Sequence, residues 1–556
     1  MFRVAFTRTR TTTTTIHIIT TNKLHSTAAT TTSTTTNNIM RAAVITKRLL
    51  ISSLSLLSSW PTTSLVAAVP ATQQQVRGAT TTTTTTASNE KQAVTDEKGR
   101  IVQVLDGTRR NPVVEQFFWE TNNDLYDVEL RDEIRRQASN LTGFLTQTRR
   151  SLHRIPELMY QEEQTSQMLQ AVLMDLEIPF STGWSVNTHT NAYKGPGGYG
   201  IVADIGTGGD PCVLLRADMD ALPILERTEG VEEFKSQTPN QMHACCHDGH
   251  MTMLLGAASI LKSMEDSING TVRLMFQPAE EGGAGGKRMV EEGVLTQEPK
   301  VQHAYGMHAW PTLPSGTVGG RPGPLLAATE LFEILIAGVG GHAAMPHLTR
   351  DPIVAASAII MNLQTVVSRT SSPLDSSVVS VTKIEAGDAY NVIPASTLLR
   401  GTIRALSTEN LMALRDRVGE IVETTAKVHG CNVTITYSPD FYPPTVNDPQ
   451  LYDSFAKHVG ALVSEEGTVR EVEPTMGGED FSFVAEKVPS TFFLLGQGSG
   501  TNPPTNYGLH HPHFAMDESV LPRGVELHVN LALRSLKKLQ QEQKKRLVGE
   551  DEANVA

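Results

Sequence analysis

The sequence has little cysteine and few aromatic side chains, and its Leu/Ser stretch at 49–57 is interrupted by serines and followed by Pro61, so it does not predict a helix that crosses a bilayer. Four cysteines in 556 residues are too few for a disulfide scaffold, and stable membrane insertion needs about 20 mainly apolar residues in succession. Basic residues are outnumbered, 47 Lys and Arg against 59 Asp and Glu, which argues against nucleic acid as a partner. The remaining composition, 39% hydrophobic and 19% charged, is typical of a folded protein with several domains.

Acidic residues are absent from the first 89 positions, which carry eight Lys or Arg and threonine runs at 11–15 and 80–86. Such polar, low-complexity sequence buries too little apolar area to form a core. We therefore assign residues 1–89 to a targeting leader and 90–125 to a linker. Basic residues just before the Leu/Ser stretch 49–57 favour a secretory signal peptide, hence the ER lumen or the exterior. An acid-free, Arg-containing leader is also typical of transit peptides for the mitochondrion or another organelle.

From about residue 126, short apolar runs alternate with helical patterns. The runs 213–215, 272–276 and 492–495 are bounded by Gly or Pro, whereas 253–264 and 351–367 have helical periodicity. This alternation predicts an α/β fold with a mainly parallel sheet. Ligand sites in such sheets lie beyond the carboxyl ends of the strands, so residues that follow the strands are the candidates for function.

Three of the segments that follow strands contain metal-binding or acid–base residue types. Asp218 and Asp220 come after the first run, where capping of a turn is the alternative role. Segment 242–250 holds three histidines and two adjacent cysteines, which points to metal or thiol chemistry. Glu280 and Glu281 follow the second run, and two neighbouring carboxylates repel each other unless a cation or a proton lies between them.

Two histidine segments, around His308 and at 509–514, complete the set. Taken together, the Cys, His and Glu side chains are those of a two-metal hydrolytic site. The competing interpretation is a thiol nucleophile, Cys245 paired with His247. That scheme has no role for the Glu280–Glu281 pair or for the late His510.

At this point the chain resembles the M20 metallopeptidases, and most closely their amidohydrolase branch, which includes hippurate hydrolase and the IAA-amino acid hydrolases. The resemblance covers about residues 126–545. It implies metal-dependent hydrolysis of the amide bond of N-acyl amino acids; an M20-type exopeptidase or dipeptidase and a catalytically impaired metal-binding homologue are the alternatives. The segments that carry it are 216–223, 242–250, 278–286, 306–311, 340–347, 391–394, 476–481 and 509–514.

The resemblance also implies residue roles. Glu280 would be the general base, and Asp218 would orient a ligand histidine. His342 would stabilise the oxyanion, often in the partner subunit's site, while Asn391 and Arg404 would hold the substrate carboxylate; for Arg404, a surface arginine on a strand is the alternative. Two divalent ions per subunit, Mn²⁺ or Zn²⁺, would be held by Cys245, His247, Glu281, His308 and His510.

Residues 329–438 have the β-α-β-β-α-β pattern of an inserted α+β, ferredoxin-like domain. The resemblance implies that this insert is a lid or dimerisation domain, so that a homodimer is expected besides the small-molecule substrate. The catalytic domain would then consist of residues 126–328 and 439–545, followed by an acidic tail at 546–556.

Cys246 stands where the family usually has glycine. If the backbone there needs a positive φ, a cysteine costs about 1–2 kcal/mol. Its thiol could also compete with Cys245 for metal, or pair with it in a strained vicinal disulfide.

Overall fold

A computed structural model describes residues 94–95, 101–103, 125–498, 505 and 507–555, and the elements below belong to the unit Ser88–Ala556. The predicted leader and nearly all of the predicted linker lie outside the described residues. The described strands are β1 (Val94–Thr95), β2 (Ile101–Gln103), β3 (Phe180–Val186), β4 (Gly197–Ile205), β5 (Cys212–Asp218), β6 (Thr271–Gln277), β7 (Val301–Trp310), β8 (Val318–Gly320), β9 (Gly323–Leu326), β10 (Ala328–Ala337), β11 (Gly341–His342), β12 (Ser377–Ala386), β13 (Val392–Ile393), β14 (Ser396–Ala405), β15 (Asn432–Tyr437), β16 (Thr445–Asn447), β17 (Val469–Glu471) and β18 (Ser490–Gly496).

The described α-helices of at least four residues are mostly found between these strands, and the last of them continues into the predicted acidic tail. They are α1 (Val128–Asn140), α2 (Thr142–Arg154), α3 (Glu163–Asp175), α4 (His247–Ser263), α5 (Gly285–Glu291), α6 (Pro352–Thr365), α7 (Thr408–Val428), α8 (Lys457–Val463), α9 (Ser482–Ala485) and α10 (Leu521–Val555).

The larger of the two main sheets has the strand order β17-β8-β18-β7-β5-β6-β4-β3. Its centre is parallel, since β5 pairs in parallel with β6 and β7, and β7 with β18. Every residue of β5, β6 and β18 is buried, as expected for parallel strands covered on both faces. The predicted α/β class with a mainly parallel sheet is confirmed.

Alternate residues of the central strands enter two separate cores. Val213 and Leu215 share a buried cluster with α1 to α4 and α10, whereas Cys212 and Leu214 share another with α5 and α9. This alternation follows from the two-residue period of a strand. Because the central strands run in parallel, their carboxyl ends, and the loops that follow β5, β6 and β7, meet at one edge of the sheet.

A second, antiparallel sheet has the order β12-β14-β10-β15. Helices α6 and α7 pack on it around a separate core. Each is preceded by an N-cap residue, Asp351 or Ser407, whose side chain accepts backbone N–H groups of the first turn. Apart from the two-residue strands β11 and β13, which pair with each other, the succession of strands and helices here is β-α-β-β-α-β, the pattern predicted.

One helix in the described part of the chain, Pro352–Thr370, has the length and hydropathy of a membrane span. It contains α6, whose buried residues Ala355, Ile359 and Leu363 belong to the core of the second sheet. Packing in this core accounts for only part of its apolar character, because Ile353, Val354 and Met361 of the same helix are exposed.

The chain enters the second domain after β9 and returns just before β16, and these two strands pair with each other. Beside them, Thr329 and Tyr442 form an antiparallel bridge in which each backbone N–H donates to the other's carbonyl oxygen at 2.9 Å. The outgoing and returning segments are therefore joined at this junction.

Candidate metal centre

Five side chains of metal-binding type meet at the carboxyl edge of the larger sheet. Sγ of Cys245 lies 3.4 Å from Nε2 of His308 and 3.2 Å from Nε2 of His510. Oε1 of Glu281 lies 3.2 Å from Nε2 of His510 and 4.0 Å from Nε2 of His247. Two groups of potential ligand atoms share Cys245, one with His247 and His308, the other with Glu281 and His510. A thiolate common to two groups is the arrangement expected for a bridged pair of cations.

Local backbone geometry brings distant segments to this point. His247 is the first residue of α4, and His308 lies near the end of β7. His510 comes from a late loop, where its φ is 63° and its backbone N–H donates to the carbonyl oxygen of Ala244 at 2.8 Å. That bond attaches the late loop directly to the segment that carries Cys245.

The chemistry of these side chains fits a pair of divalent cations. Nε2 of His247 is buried without a hydrogen-bond partner, and such a buried polar atom is costly unless something else satisfies it. Burial and the neighbouring His250 hold the pKa of His308 well below its usual value, which keeps the imidazole neutral, as a ligand must be. Burial raises the pKa of the Cys245 thiol, so a nearby cation is needed to keep it a thiolate.

Asp220 holds the loop that follows β6 and faces a predicted ligand. Its two carboxylate oxygens accept the backbone N–H groups of Glu280 and Glu281, each at 3.0 Å. Its Oδ1 also lies 3.3 Å from Nδ1 of His247. Although burial opposes protonation, Asp218 and Asp220 raise the pKa of His247 to about 10, so a cation that binds this imidazole must displace its proton. From the sequence, Asp220 was a candidate only, with capping of a turn as the alternative and no catalytic role.

Asp218, the predicted orienting carboxylate, makes its shortest histidine contact with a residue outside the predicted ligand set. Its Oδ1 lies 2.7 Å from Nδ1 of His250, and Nε2 of His250 accepts the backbone N–H of Ala309 at 3.0 Å. Both ring nitrogens of His250 are thus occupied. Nε2 of His247 lies further from Asp218, at 3.6 Å.

Glu280, the predicted base, belongs to a buried acidic group with Glu479 and Asp480. Burial, reinforced by Glu479, raises the pKa of Glu280 well above its usual value, and burial raises the pKa of Asp480 to about 7. The buried guanidinium of Arg216 lies 2.9 Å from an oxygen of Glu479 and of Asp480 and 2.8 Å from Asp218. A carboxyl group with a raised pKa can exchange a proton near neutral pH.

Cys246 adopts the left-handed backbone conformation that glycine favours, with φ at 70°. Its side chain is wholly buried in the larger hydrophobic core. Among the described residues it belongs to none of the groups able to hold a metal ion, and Cys245 and Cys246 are both free thiols. Neither the competing-ligand arrangement nor the vicinal disulfide is present in this structure.

A cleft of about 440 Å³ opens beside Cys245 and Glu280 and is lined by residues of both domains. Its apolar lining includes Trp310, Leu326 and Leu509. Arg404, a predicted substrate residue, also lines it and donates to the carbonyl oxygen of Met476 at 2.7 Å. Within the described part of the chain no ion pair includes Arg404, so its charge faces the cleft uncompensated.

His342 and Asn391 do not line this cleft. His342 is the last residue of β11, and Asn391 directly precedes β13, the strand that pairs with β11 on the second domain; both side chains are exposed. The structure therefore brings Arg404 to the cleft of its own subunit but leaves His342 and Asn391 outside it.

Glu479, Asp480 and Tyr442 also had no role predicted from the sequence. Glu479 and Asp480 lie in segment 476–481, one of those that resemble the M20 family. Two adjacent carboxylates in such a segment were a sequence feature from which an acid–base role could have been predicted. Tyr442 carried no such signal, because its contacts depend on the junction between the two domains.

Comparisons with known proteins give a consistent result. Residues 214–534 match Peptidase family M20/M25/M40. The chain is 43% identical to the IAA-amino acid hydrolase ILR1-like 4 of Arabidopsis thaliana, over 70% of this chain and 85% of that protein. It is 37% identical to an N-acetylcysteine deacetylase of Bacillus subtilis, over 70% and 96% respectively. Among solved structures it is similar to the Bacillus subtilis YXEP protein, described as a dinuclear metal-binding peptidase of the M20 family, with a TM-score of 0.57, 32% identity and coverage of 72% and 99%.

Proposed function

The chain belongs to the M20/M25/M40 peptidase family, and from this premise we propose that it hydrolyses the amide bond of N-acyl amino acids. The observation that carries the proposal is the pair of ligand groups sharing Cys245, with the carboxyl group of Glu280 beside them. The two named relatives support it, because IAA-amino acids and N-acetylcysteine each combine an acyl group, an amide bond and an amino acid.

The protein's own residues would divide the work as follows. Cys245, His247, Glu281, His308 and His510 would hold two divalent cations, which when bound supply Lewis-acid activation of water and of the amide carbonyl. Glu280 would take a proton from the attacking water and deliver it to the amide nitrogen as the C–N bond breaks. The products are a carboxylic acid and an amino acid with a free amine.

Substrate binding would use the cleft between the domains. Trp310, Leu326 and Leu509 offer an apolar surface for an acyl group. Arg404 would pair with the carboxylate of the amino acid, for which its planar guanidinium is well matched. The uncompensated charge of Arg404 supports this role.

For the metal we propose Mn²⁺ or Zn²⁺. A thiolate with three imidazoles and one carboxylate is a donor set of mixed softness, which suits Zn²⁺ by its sulfur and Mn²⁺ by its oxygen. Reconstitution with each ion separately, followed by activity measurement, distinguishes the two.

We also propose a homodimer formed through the second domain, in which His342 would stabilise the oxyanion and Asn391 would hold the substrate in the partner subunit's site. Strand β12 is an edge strand of its sheet, and the apolar side chains of Ile384, Tyr390 and Val392 are exposed near these residues. An exposed edge with apolar neighbours is a surface suited to pairing. Light scattering of the purified protein would give a dimeric mass if this is right and a monomeric mass if it is wrong.

For localisation we propose the secretory pathway, on the basis of the basic residues and the Leu/Ser stretch near the N-terminus. A fluorescent protein fused after residue 90 should then enter the ER. Import into mitochondria or another organelle would favour the transit-peptide alternative.

The test of the function combines metal analysis with a substrate panel. The purified full-length chain should bind about two divalent ions and hydrolyse at least one N-acetyl, N-benzoyl or indole-acetyl amino acid. Chelation should abolish turnover, and added Mn²⁺ or Zn²⁺ should restore it. Hydrolysis of unblocked dipeptides alone would instead identify an exopeptidase, and turnover indifferent to chelation would favour a thiol nucleophile.

A further inference from the structure

The phenol of Tyr442 makes three hydrogen bonds to the loop that carries Glu280 and Glu281. Its hydroxyl donates to the carbonyl oxygen of Glu280 at 2.7 Å. The same oxygen accepts the backbone N–H groups of Gly282 at 3.1 Å and Ala284 at 2.9 Å. A hydroxyl has one proton to donate and two lone pairs, so its whole hydrogen-bonding capacity is used on one short loop.

This loop requires external support because its backbone conformation is unfavourable. Ala279 and Ala284 have φ values of 57° and 55°, and Gly282 has 100°. Non-glycine residues keep such conformations only where the surrounding structure holds them. Asp220 binds the N–H groups in the first half of the loop, and Tyr442 binds those in the second half.

Tyr442 is itself firmly placed. Its backbone pairs with Thr329 at the junction between the two domains, and its ring is buried against Phe483, with ring centroids 5.8 Å apart in an edge arrangement. Two residues before it, Asp440 forms ion pairs with Lys287 and Arg288 of α5, the helix that follows the loop. The returning segment of the second domain thus holds both the loop and its continuation.

We propose that Tyr442 is a positioning residue for the base: it fixes the main chain at Glu280, and so sets where that carboxyl group lies relative to the ligand Glu281. The inference rests on the proposed function, in which Glu280 moves the proton. It further means that the geometry of the base depends on the junction with the second domain, through the Thr329–Tyr442 bridge.

The first test is Tyr442→Phe, which keeps the ring and removes the hydroxyl. Small displacements of a reacting group can cost about 100-fold in rate, so kcat should fall about 100-fold while KM stays within about twofold and the metal content per chain is unchanged. Hydrogen exchange should become faster at the amides of Gly282 and Ala284. The matched control is Tyr437→Phe, since the hydroxyl of Tyr437 bonds to Arg415 within the second domain; its kcat should equal that of the wild type.

The outcomes separate this inference from the proposed function. A Tyr442→Phe protein with kcat within about threefold of the wild type overturns the positioning role, and so does a loss of kcat that merely follows loss of metal. A wild type that hydrolyses no substrate of the panel overturns the proposed function instead.

If Tyr442→Phe does not fold, replacement of Tyr442 by para-aminophenylalanine retains a donor to Glu280 and weakens the two accepted bonds. It should then give an intermediate kcat. Wild-type kcat together with faster exchange at Gly282 and Ala284 would overturn the positioning role.

Discussion

Replacing Asp220 by asparagine tests whether one buried carboxylate holds both the catalytic loop and a metal ligand. Asp220 is 1% exposed, and its oxygens serve two backbone N–H groups and face Nδ1 of His247. The asparagine side chain has only one oxygen, so its NH2 group would face one of the two loop N–H groups and leave that N–H without an acceptor. The negative charge opposite His247 would also disappear. Hydrogen bonds to charged groups contribute about 1.5–3 kcal/mol each.

The expected consequence is a loss of metal affinity. Removing the carboxylate that hydrogen-bonds a ligand histidine typically weakens metal binding about 10–100-fold. This corresponds to about 1.4–2.8 kcal/mol, which agrees with the loss of one hydrogen bond to a charged group. Competition with a fluorescent chelator would measure the Kd of the cations, and thermal unfolding would report stability. The matched control is Asp204→Asn, which removes a carboxylate paired with Arg273 at the opposite end of β6. Asp220→Asn with metal affinity within about threefold of the wild type would refute the reasoning.

Three further substitutions test other parts of the site. Glu280→Gln should keep about two metals per chain and lose at least about 100-fold in kcat, because only the base is removed; unchanged turnover would reject Glu280 as the base. Cys246→Gly should keep its metal content and kcat, since the thiol lies in the core; loss of a metal would contradict this expectation. Its melting temperature should fall slightly, because the lost packing outweighs the roughly 1 kcal/mol released from the left-handed backbone. Asp248→Asn should lower the free energy of unfolding by about 3 kcal/mol in denaturant titrations, because Asp248 lies 2.9 Å from Arg149 and 2.7 Å from His153. Despite its burial, these partners hold the pKa of Asp248 well below the usual value of about 3.9. The contribution of Asp248 to the free energy of unfolding is therefore complete above about pH 4 and is lost as pH falls further. A free energy of unfolding that does not change with pH below about pH 4 would contradict this prediction.

The fold and the meeting of the ligands could be predicted because local patterns determine both. The apolar run at 213–215 predicts a buried strand, and in a parallel sheet the residues that follow such strands share one edge. Glu281 and His308 were therefore expected to lie near each other. The second domain was equally predictable, because its strands alternate in exposure and each of its two helices follows an N-cap residue.

Other features depend on tertiary contacts that leave no local pattern. Which carboxylate faces His247 depends on how the turn after β5 directs Asp218 and Asp220, and only Asp220 reaches Nδ1 of that ring. Arg216 meets Asp480 across 264 positions of sequence. The positive φ of Cys246 was expected only from the family's glycine, and the direction of its thiol could not be deduced at all.

The late position of His510 has a consequence for how the protein matures. A chain emerging from the ribosome presents Cys245, His247 and His308 long before His510, and strand β18 completes the middle of the sheet only after residue 496. The ligand group of Cys245 with Glu281 and His510 cannot exist until synthesis has passed that histidine. A cation held by this group would therefore be loaded only after the late loop has been synthesised, and a nascent or truncated chain would lack the complete set of ligands.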